Sequence, residues 1–197
     1  WHSRSARPAS PLVAELAQAM GTTRFIEPRL TGGFQHGRLV VLRAGGTDKP
    51  QGLDAHSPAV IGAVAHIREK AEGDTSPEAL GALAVTYLVS GDVAKAVKAL
   101  ESATAQAPKN PRLLSDLSAA YLVRATRLDE PADIPKALEA AEKSIELENA
   151  PDEAWFNRAL ALEQLHLVDS AKKAWEDFLK RDSTSPWADE ARRHLEE

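Results

Sequence analysis

Residues 77–110 read PEALGALAVTYLVSGDVAKAVKALESATAQAPKN, and their pattern decides the fold. Leu80, Leu83, Ala84 and Tyr87 recur at helical spacing, Gly91-Asp92 breaks the run, and Ala96, Leu100 and Ala103 resume it until Pro108,. Two helices joined by a tight turn follow. The same plan returns in residues 111–151, with Leu114, Leu117 and Tyr121, then Ala137, Ala141 and Ile145. It returns again in 152–185, with Trp155, Ala159 and Leu162, then Ala171, Trp175 and Phe178. A repeat of this kind marks stacked helix pairs, each burying its apolar face only against its neighbours. Ala84, Ala96, Ala103, Ala159 and Ala171 are small where helices must cross closely. Tyr87, Tyr121, Trp155, Trp175 and Phe178 fill the wider gaps. The middle unit has seven residues more than the 34 of the others, lying in Thr126–Pro135. They are read either as two longer helices with Leu128 and Ile134 packed between them, or as a loop projecting to make a contact.

The ends of the array need a polar outer side. Ser57-Pro58 is an N-cap and first-turn proline, opening a helix with Val60, Val64, Ile67 and Ala71 on one stripe and Gly73 as its stop,. Residues 57–76 are therefore the N-terminal cap. Pro186 opens the C-terminal cap, 186–197, with Trp187, Ala191 and Leu195 inward and Asp189, Glu190, Arg192, Arg193 and Glu196 toward water,.

Residues 1–56 differ in composition. Arg4, Arg7, Arg24, Arg29, Arg38, Arg43 and Lys49 face only Glu15, Glu27, Asp48 and Asp54, a balance of +3 in a chain of net charge −5. Prolines and glycines interrupt this arm throughout. One short amphipathic helix, with Leu12, Leu16 and Ala19 on one side, fits between Pro11 and Gly21, and Gly37–Arg43 reads as one extended segment. The arm has too few apolar residues to stand alone, so it is expected to pack on the helices or stay partly mobile.

Composition removes several function classes. With no cysteine there is no thiol nucleophile and no Cys-ligated zinc, and none of the six histidines has another three or four residues on, so no helix offers a two-His metal face,. Gly32-Gly33 and Gly45-Gly46 lack the Lys-Ser/Thr of a phosphate loop. The acidic cluster Glu139, Glu142, Glu146 and Glu148 is interspersed with Lys136 and Lys143, as on a solvated helix face,. No enzymatic activity, metal or cofactor is expected. Neither is nucleic-acid binding, since the chain is acidic and the arm lacks aromatic platforms. No apolar run approaches the roughly 18 residues of a membrane span, so direct membrane insertion is not expected. The start at Trp1, with Met20 the sole methionine, is expected of a piece of a longer polypeptide.

The repeats resemble the tetratricopeptide repeat (TPR) family. In the first unit Leu80, Leu83, Ala84, Tyr87, Gly91, Ala96, Leu100, Ala103 and Pro108 fall on its signature positions. The third departs from them, with Arg158 for the usual Leu, His166 for the turn Gly and Ser183 for the Pro. The resemblance implies an all-α, right-handed helical-repeat solenoid of three units (77–110, 111–151, 152–185) with a flanking helix at each end and the irregular arm. It also implies a protein-interaction scaffold binding a peptide in its concave groove. By position the groove residues are Glu78, Gly81, Ala82, Val85 and Val89; Arg112, Ser115, Asp116, Ala119 and Leu122; and Glu153, Phe156, Asn157, Leu160 and Gln164. Only Arg112 and Asn157 suit the family's carboxylate clamp, while Val85, Phe156 and Leu160 favour a mainly apolar segment. The groove's occupant is either a partner segment or the protein's own basic arm, which is matched in charge to the acidic array. A second resemblance rests on Arg24–Arg38, with Ile-Glu-Pro-Arg-Leu-Thr-Gly-Gly-Phe inside it. This stretch looks like the region before the repeats of bacterial proteins in which a TPR array precedes a caspase-like CHAT peptidase domain. It implies a regulatory section of a larger, membrane-anchored or peptidase-bearing protein, in which Trp1, Arg4 and Arg7 would border a membrane helix and a downstream domain would be a further partner.

Overall fold

Three helices begin alike. Ser57, Ser76 and Asn110 each turn a side-chain oxygen onto a free N–H of the first turn, at 3.2 Å from Val60, 3.3 Å from Ala79 and 3.1 Å from Arg112. A proline follows each cap, where its missing N–H is not needed,. The computed structural model describes residues 10–37, 39 and 57–196, and nine helices form among them. They are α1 (Pro11–Met20), α2 (Pro58–Lys70), α3 (Pro77–Val89), α4 (Val93–Gln106), α5 (Pro111–Arg127), α6 (Asp133–Ile145), α7 (Asp152–Gln164), α8 (Val168–Arg181) and α9 (Pro186–Glu196).

The pairs α3–α4, α5–α6 and α7–α8 stack into a helical-repeat solenoid. Helix α5 touches both α3 and α7, while α4, α6 and α8 have no comparable contact with one another, so α3, α5 and α7 form the inner, concave layer. Ala84, Ala96, Ala103 and Ala159 are fully buried at the crossings and Ala171 nearly so. Trp175 and Phe178 fill the space between layers,. Polar ties join neighbouring helices, such as the Tyr121 hydroxyl donating to Glu101 at 2.8 Å and the Ser144 hydroxyl donating to the Pro111 carbonyl at 2.6 Å.

The turns repeat more faithfully than the residues that make them. Gly91 ends α3 with φ of +81°, and the next N–H, on Asp92, reaches back to the Tyr87 carbonyl at 2.8 Å. His166 stands in the same place after α7, with φ of +58° and Leu167 bonded to Leu162 at 3.0 Å. Asp129 does so after α5, with φ of +56° and Glu130 bonded to Ala125 at 3.2 Å. The left-handed residue closes the helix in all three units. It comes one turn later in the middle unit, so most of the insertion there is an extra turn of α5. Ile134 packs against the core as expected, but Leu128 is half exposed.

The N-terminal helices depart from expectation. Helix α2 is not a cap with an open side: α1 lies on it and reaches α3, giving a further helix pair ahead of the three repeats. The buried face of α1 is Val13, Leu16, Ala17 and Met20, whereas Leu12 and Ala19 are only partly covered. The face is turned because α1 is held on a second side by the chain turn at Gly32, where a Cβ would come within 2.5 Å of Val13 Cγ1. Of the extended segment expected at 37–43, Leu39 makes an isolated parallel bridge to Arg24, and residues 38 and 40–43 lie outside the described part. No helix among the described residues is long and apolar enough to cross a membrane.

Candidate functional site

Residues 22–36, which follow α1, run along the inner layer. Their path is set by four side chains from three helices. Arg127, the last residue of α5 and part of its extra turn, donates to the Phe25 carbonyl. Asn157 of α7 pairs with both polar groups of Arg29: its Oδ1 accepts from the Arg29 N–H at 2.8 Å, and its Nδ2 donates to the Arg29 carbonyl at 2.9 Å. Asp116 of α5 accepts from the Thr31 N–H at 2.7 Å and from the Thr31 hydroxyl at 2.8 Å. Glu190 of α9 takes the Arg24 guanidinium in a two-pronged pair at 2.6 and 2.9 Å, the strong geometry for this pair of groups.

Arene faces complete the site. The Arg29 guanidinium lies 4.5 Å from the Trp187 ring centre, 5.6 Å from Phe178 and 5.7 Å from Phe156, with Glu153 Oε1 3.9 Å from its Nη2. The rings brace one another edge to face, Phe156 meeting Trp175 at 5.0 Å, Trp187 at 5.4 Å and Phe178 at 5.5 Å,. Arg24 also lies over Trp187, at 4.7 Å, and His36 meets that ring edge-on at 4.8 Å while its Nε2 sits 2.9 Å from Glu190. Between these anchors Phe25, Ile26 and Leu30 are buried.

Burial and pairing set the charges. Asp116 is pushed up to about 7, because burial disfavours its charge more than the Thr31 N–H and hydroxyl favour it,. Burial also pushes Glu190 up, but the Arg24 guanidinium and His36 outweigh it and hold the carboxyl below the usual range. Burial raises Glu27 despite His194 and Arg24 nearby. The hydrogen bond to Glu163 raises His194, which also stacks on Trp175 at 4.6 Å.

The expected groove residues divide into three sets. Asp116, Phe156 and Asn157, with Glu153, meet the arm as just described. Val85, Ala119, Leu122 and Leu160 are buried in the core, and Val89 packs against it; Gln164 is partly buried. Arg112 lines a cavity of about 920 Å³ bounded by Glu78, Gly81, Ala82 and Asp116 on one side and by Val13 and Gly32 on the other. Phe156, expected against an apolar segment, instead carries the Arg29 cation. Trp187, Glu190 and Arg127 were absent from the expected set. Glu190 corrects the polar side expected of α9, since it is 8% exposed. The signal was present, because Glu190 lies three residues beyond Trp187, on the face already assigned inward. No group of three or more His, Asp or Glu side chains among the described residues could hold a metal ion.

No family model matches the chain. Among solved structures it is similar to the crystal structure of TTC0263, a thermophilic TPR protein of Thermus thermophilus, with a TM-score of 0.56 and 24% identity over 70% of each chain. It is more distantly similar to the first TPR of Spaghetti (RPAP3) bound to the HSP90 peptide SRMEEVD, with a TM-score of 0.48 and 20% identity over 68% of this chain and 93% of that one. The NMR structure of the first TPR domain of human RPAP3 gives the same score and identity over 68% and 90%. The likeness to the Thermus protein shows the fold: this chain is a TPR-type helical solenoid.

Proposed function

We propose that the chain is a non-enzymatic interaction module whose concave face takes up an extended polypeptide segment, and that residues 22–36 of its own arm are the segment it holds at rest. The observation that carries this reading is the Asn157 amide, which satisfies the N–H and the carbonyl of Arg29 together. Such a contact recognises backbone, so it serves any extended chain laid in that register, much as an edge strand does.

The arm is tethered at both ends, to α1 and to α2, so it competes with a separate ligand at an effective concentration in the millimolar range. A partner segment must displace it. The arm then works as a gate, as suits the regulatory section of a larger protein. The stretch resembling the region ahead of CHAT-type peptidases is the one seated here, and its small residues have a local reason. Gly32 and Gly33 take φ of +115° and +90°, and a Cβ on Gly37 would sit 1.7 Å from the Thr22 carbonyl oxygen,.

The test uses a labelled peptide of residues 22–36, added to the full chain and to the double variant Arg24→Ala/Arg29→Ala, whose own arm has lost two anchors. Fluorescence anisotropy is expected to show binding at least about tenfold tighter to the variant, since the internal competitor is weakened. Adding Asn157→Ala should remove it. A peptide that binds neither protein refutes the reading.

A further inference from the structure

The Asn157 contact is indifferent to sequence, but its neighbours are not. Counting from the clamped residue, three side chains of the bound segment enter built positions. Residue 29 puts a guanidinium among Phe156, Phe178 and Trp187. Residue 31 puts a hydroxyl on Asp116. Residue 24 puts a second guanidinium on Glu190 and Trp187. The acceptors come from α5, α7, α8 and α9, elements that would stand in place whichever chain lay in the groove.

The Arg29 position is unusual in how it holds charge. Its Nε and Nη1 are buried with no hydrogen-bond partner among the described residues, and the nearest carboxylate oxygen is 3.9 Å from Nη2. The cation is therefore held by ring faces and by the field of Glu153, Asp182 and Asp152, which partly offset the burial that disfavours its charge, rather than by close hydrogen bonds. That selects the weakly hydrated, planar guanidinium over the strongly hydrated ammonium of lysine, and over any neutral side chain. At residue 31 the logic is the opposite. Asp116 is 6% exposed and both its oxygens are taken by Thr31. An aliphatic residue there leaves one carboxylate oxygen buried without a donor, whereas serine keeps it paired.

We infer that the concave face reads sequence as well as backbone. It is a site for an extended segment carrying arginine, any residue, then threonine or serine, with a second arginine five residues before the first. A segment of another polypeptide with that pattern is the ligand that displaces the arm. This rests on the groove taking up peptide, as proposed above.

The experiment uses the full-length double variant Arg24→Ala/Arg29→Ala and labelled 22–36 peptides that are unchanged or carry Arg29→Lys, Arg29→Met, Thr31→Val, Thr31→Ser or Arg24→Gln. Expected are losses of about tenfold or more for Arg29→Lys, Arg29→Met and Thr31→Val, a smaller loss for Arg24→Gln, and near-parent binding for Thr31→Ser. If the Met and Val peptides bind as the parent does, while Asn157→Ala abolishes all binding, the sequence reading is overturned and peptide uptake stands. If the parent peptide does not bind at all, peptide uptake itself fails. Should the double variant not fold, amide exchange of residues 25–31 in the full chain decides. Faster exchange for Arg29→Met and Thr31→Val than for Thr31→Ser supports the inference, and equal rates overturn it.

Discussion

At its α3 end the concave layer is made of Gly81, Ala82 and Val85, and the described residues there, among them Glu78, Arg112 and Asp116, line a cavity of about 920 Å³. At its α7 and α9 end it is made of Glu153, Phe156, Asn157, Trp187 and Glu190, and the arm fills it. The first unit matches the repeat pattern best, yet the anchors of residues 22–36 described above come from the other two units and α9. The residues that meet the arm, among them Phe156, Asn157 and Glu190, are not those that define the repeat. Repeat positions answer to neighbouring helices, while inner-layer positions between them are free to answer to something else.

The hub of the filled end is the place to break this contrast most severely. Phe156 is fully buried and braces Trp175, Phe178 and Trp187. Phe156→Ala should cost about 3–5 kcal/mol in chemical denaturation, and it should release the arm as well. Glu190→Ala separates the two effects. It removes the partner of Arg24, which can leave with the arm instead of remaining buried and unpaired. The loss, about 2 kcal/mol for hydrogen bonds to a charged group, should appear as faster amide exchange of residues 22–36 with little change in the melting of α3–α6. An unchanged arm with a lowered melting temperature would make Glu190 a packing residue of α9 alone.

Much of this architecture was legible before any coordinates. The helix pairs follow from residues spaced within about 40 positions of one another, where periodicity, caps and turn residues all agree. The arm does not yield to that reading. Its docking joins residue 31 to 116, 29 to 157 and 24 to 190, and no local pattern encodes pairings that distant. Asn157 and Asp116 could be placed by register because they sit on repeat helices. Trp187 and Glu190 belong to a helix whose job, judged by position alone, was to end the stack. Leu128 was misjudged for a related reason: the extra turn of α5 carries it past the neighbour it was expected to meet, and places Arg127 against the arm instead.

Acidity sharpens the comparison, because two of the arm's carboxylate partners shift in opposite directions, Asp116 raised by burial and Glu190 held down, against its own burial, by Arg24 and His36. Asp116 lies at about 7 with the arm over it, raised from the ordinary 3.8 by burial, and the share of that burial that the arm supplies is lost when the arm leaves. A carboxyl raised in the docked state adds stability that is fully present below the lower value and is lost as pH rises through the higher one. Docking should therefore weaken by up to about tenfold between pH 6 and pH 8, read as arm amide exchange corrected for its intrinsic pH dependence. Asp116→Asn keeps an acceptor for the Thr31 N–H and should flatten that part of the profile. The difference between wild type and Asp116→Asn isolates the contribution of Asp116.

The smallest effect concerns how far the third unit can be returned to the repeat pattern without touching the groove. His166 holds φ of +58° at the turn where the first unit has Gly91, and it is exposed. A side chain in the left-handed region costs about 1 kcal/mol, part of which glycine gives back through the freedom it adds to the unfolded chain. His166→Gly should stabilise the protein by somewhat less than about 1 kcal/mol and leave peptide binding unchanged, because the turn lies at the far end of α7 from Glu153, Phe156 and Asn157. Gly91→Ala at the corresponding turn should destabilise by a similar amount, although a Cβ there meets no atom within 4 Å. With space excluded as the cause, equal and opposite shifts in the two units would show that the turns are interchangeable parts of the scaffold. A loss of peptide binding in His166→Gly would instead mean that the position of α8 beneath the Arg29 site depends on the residue at this turn.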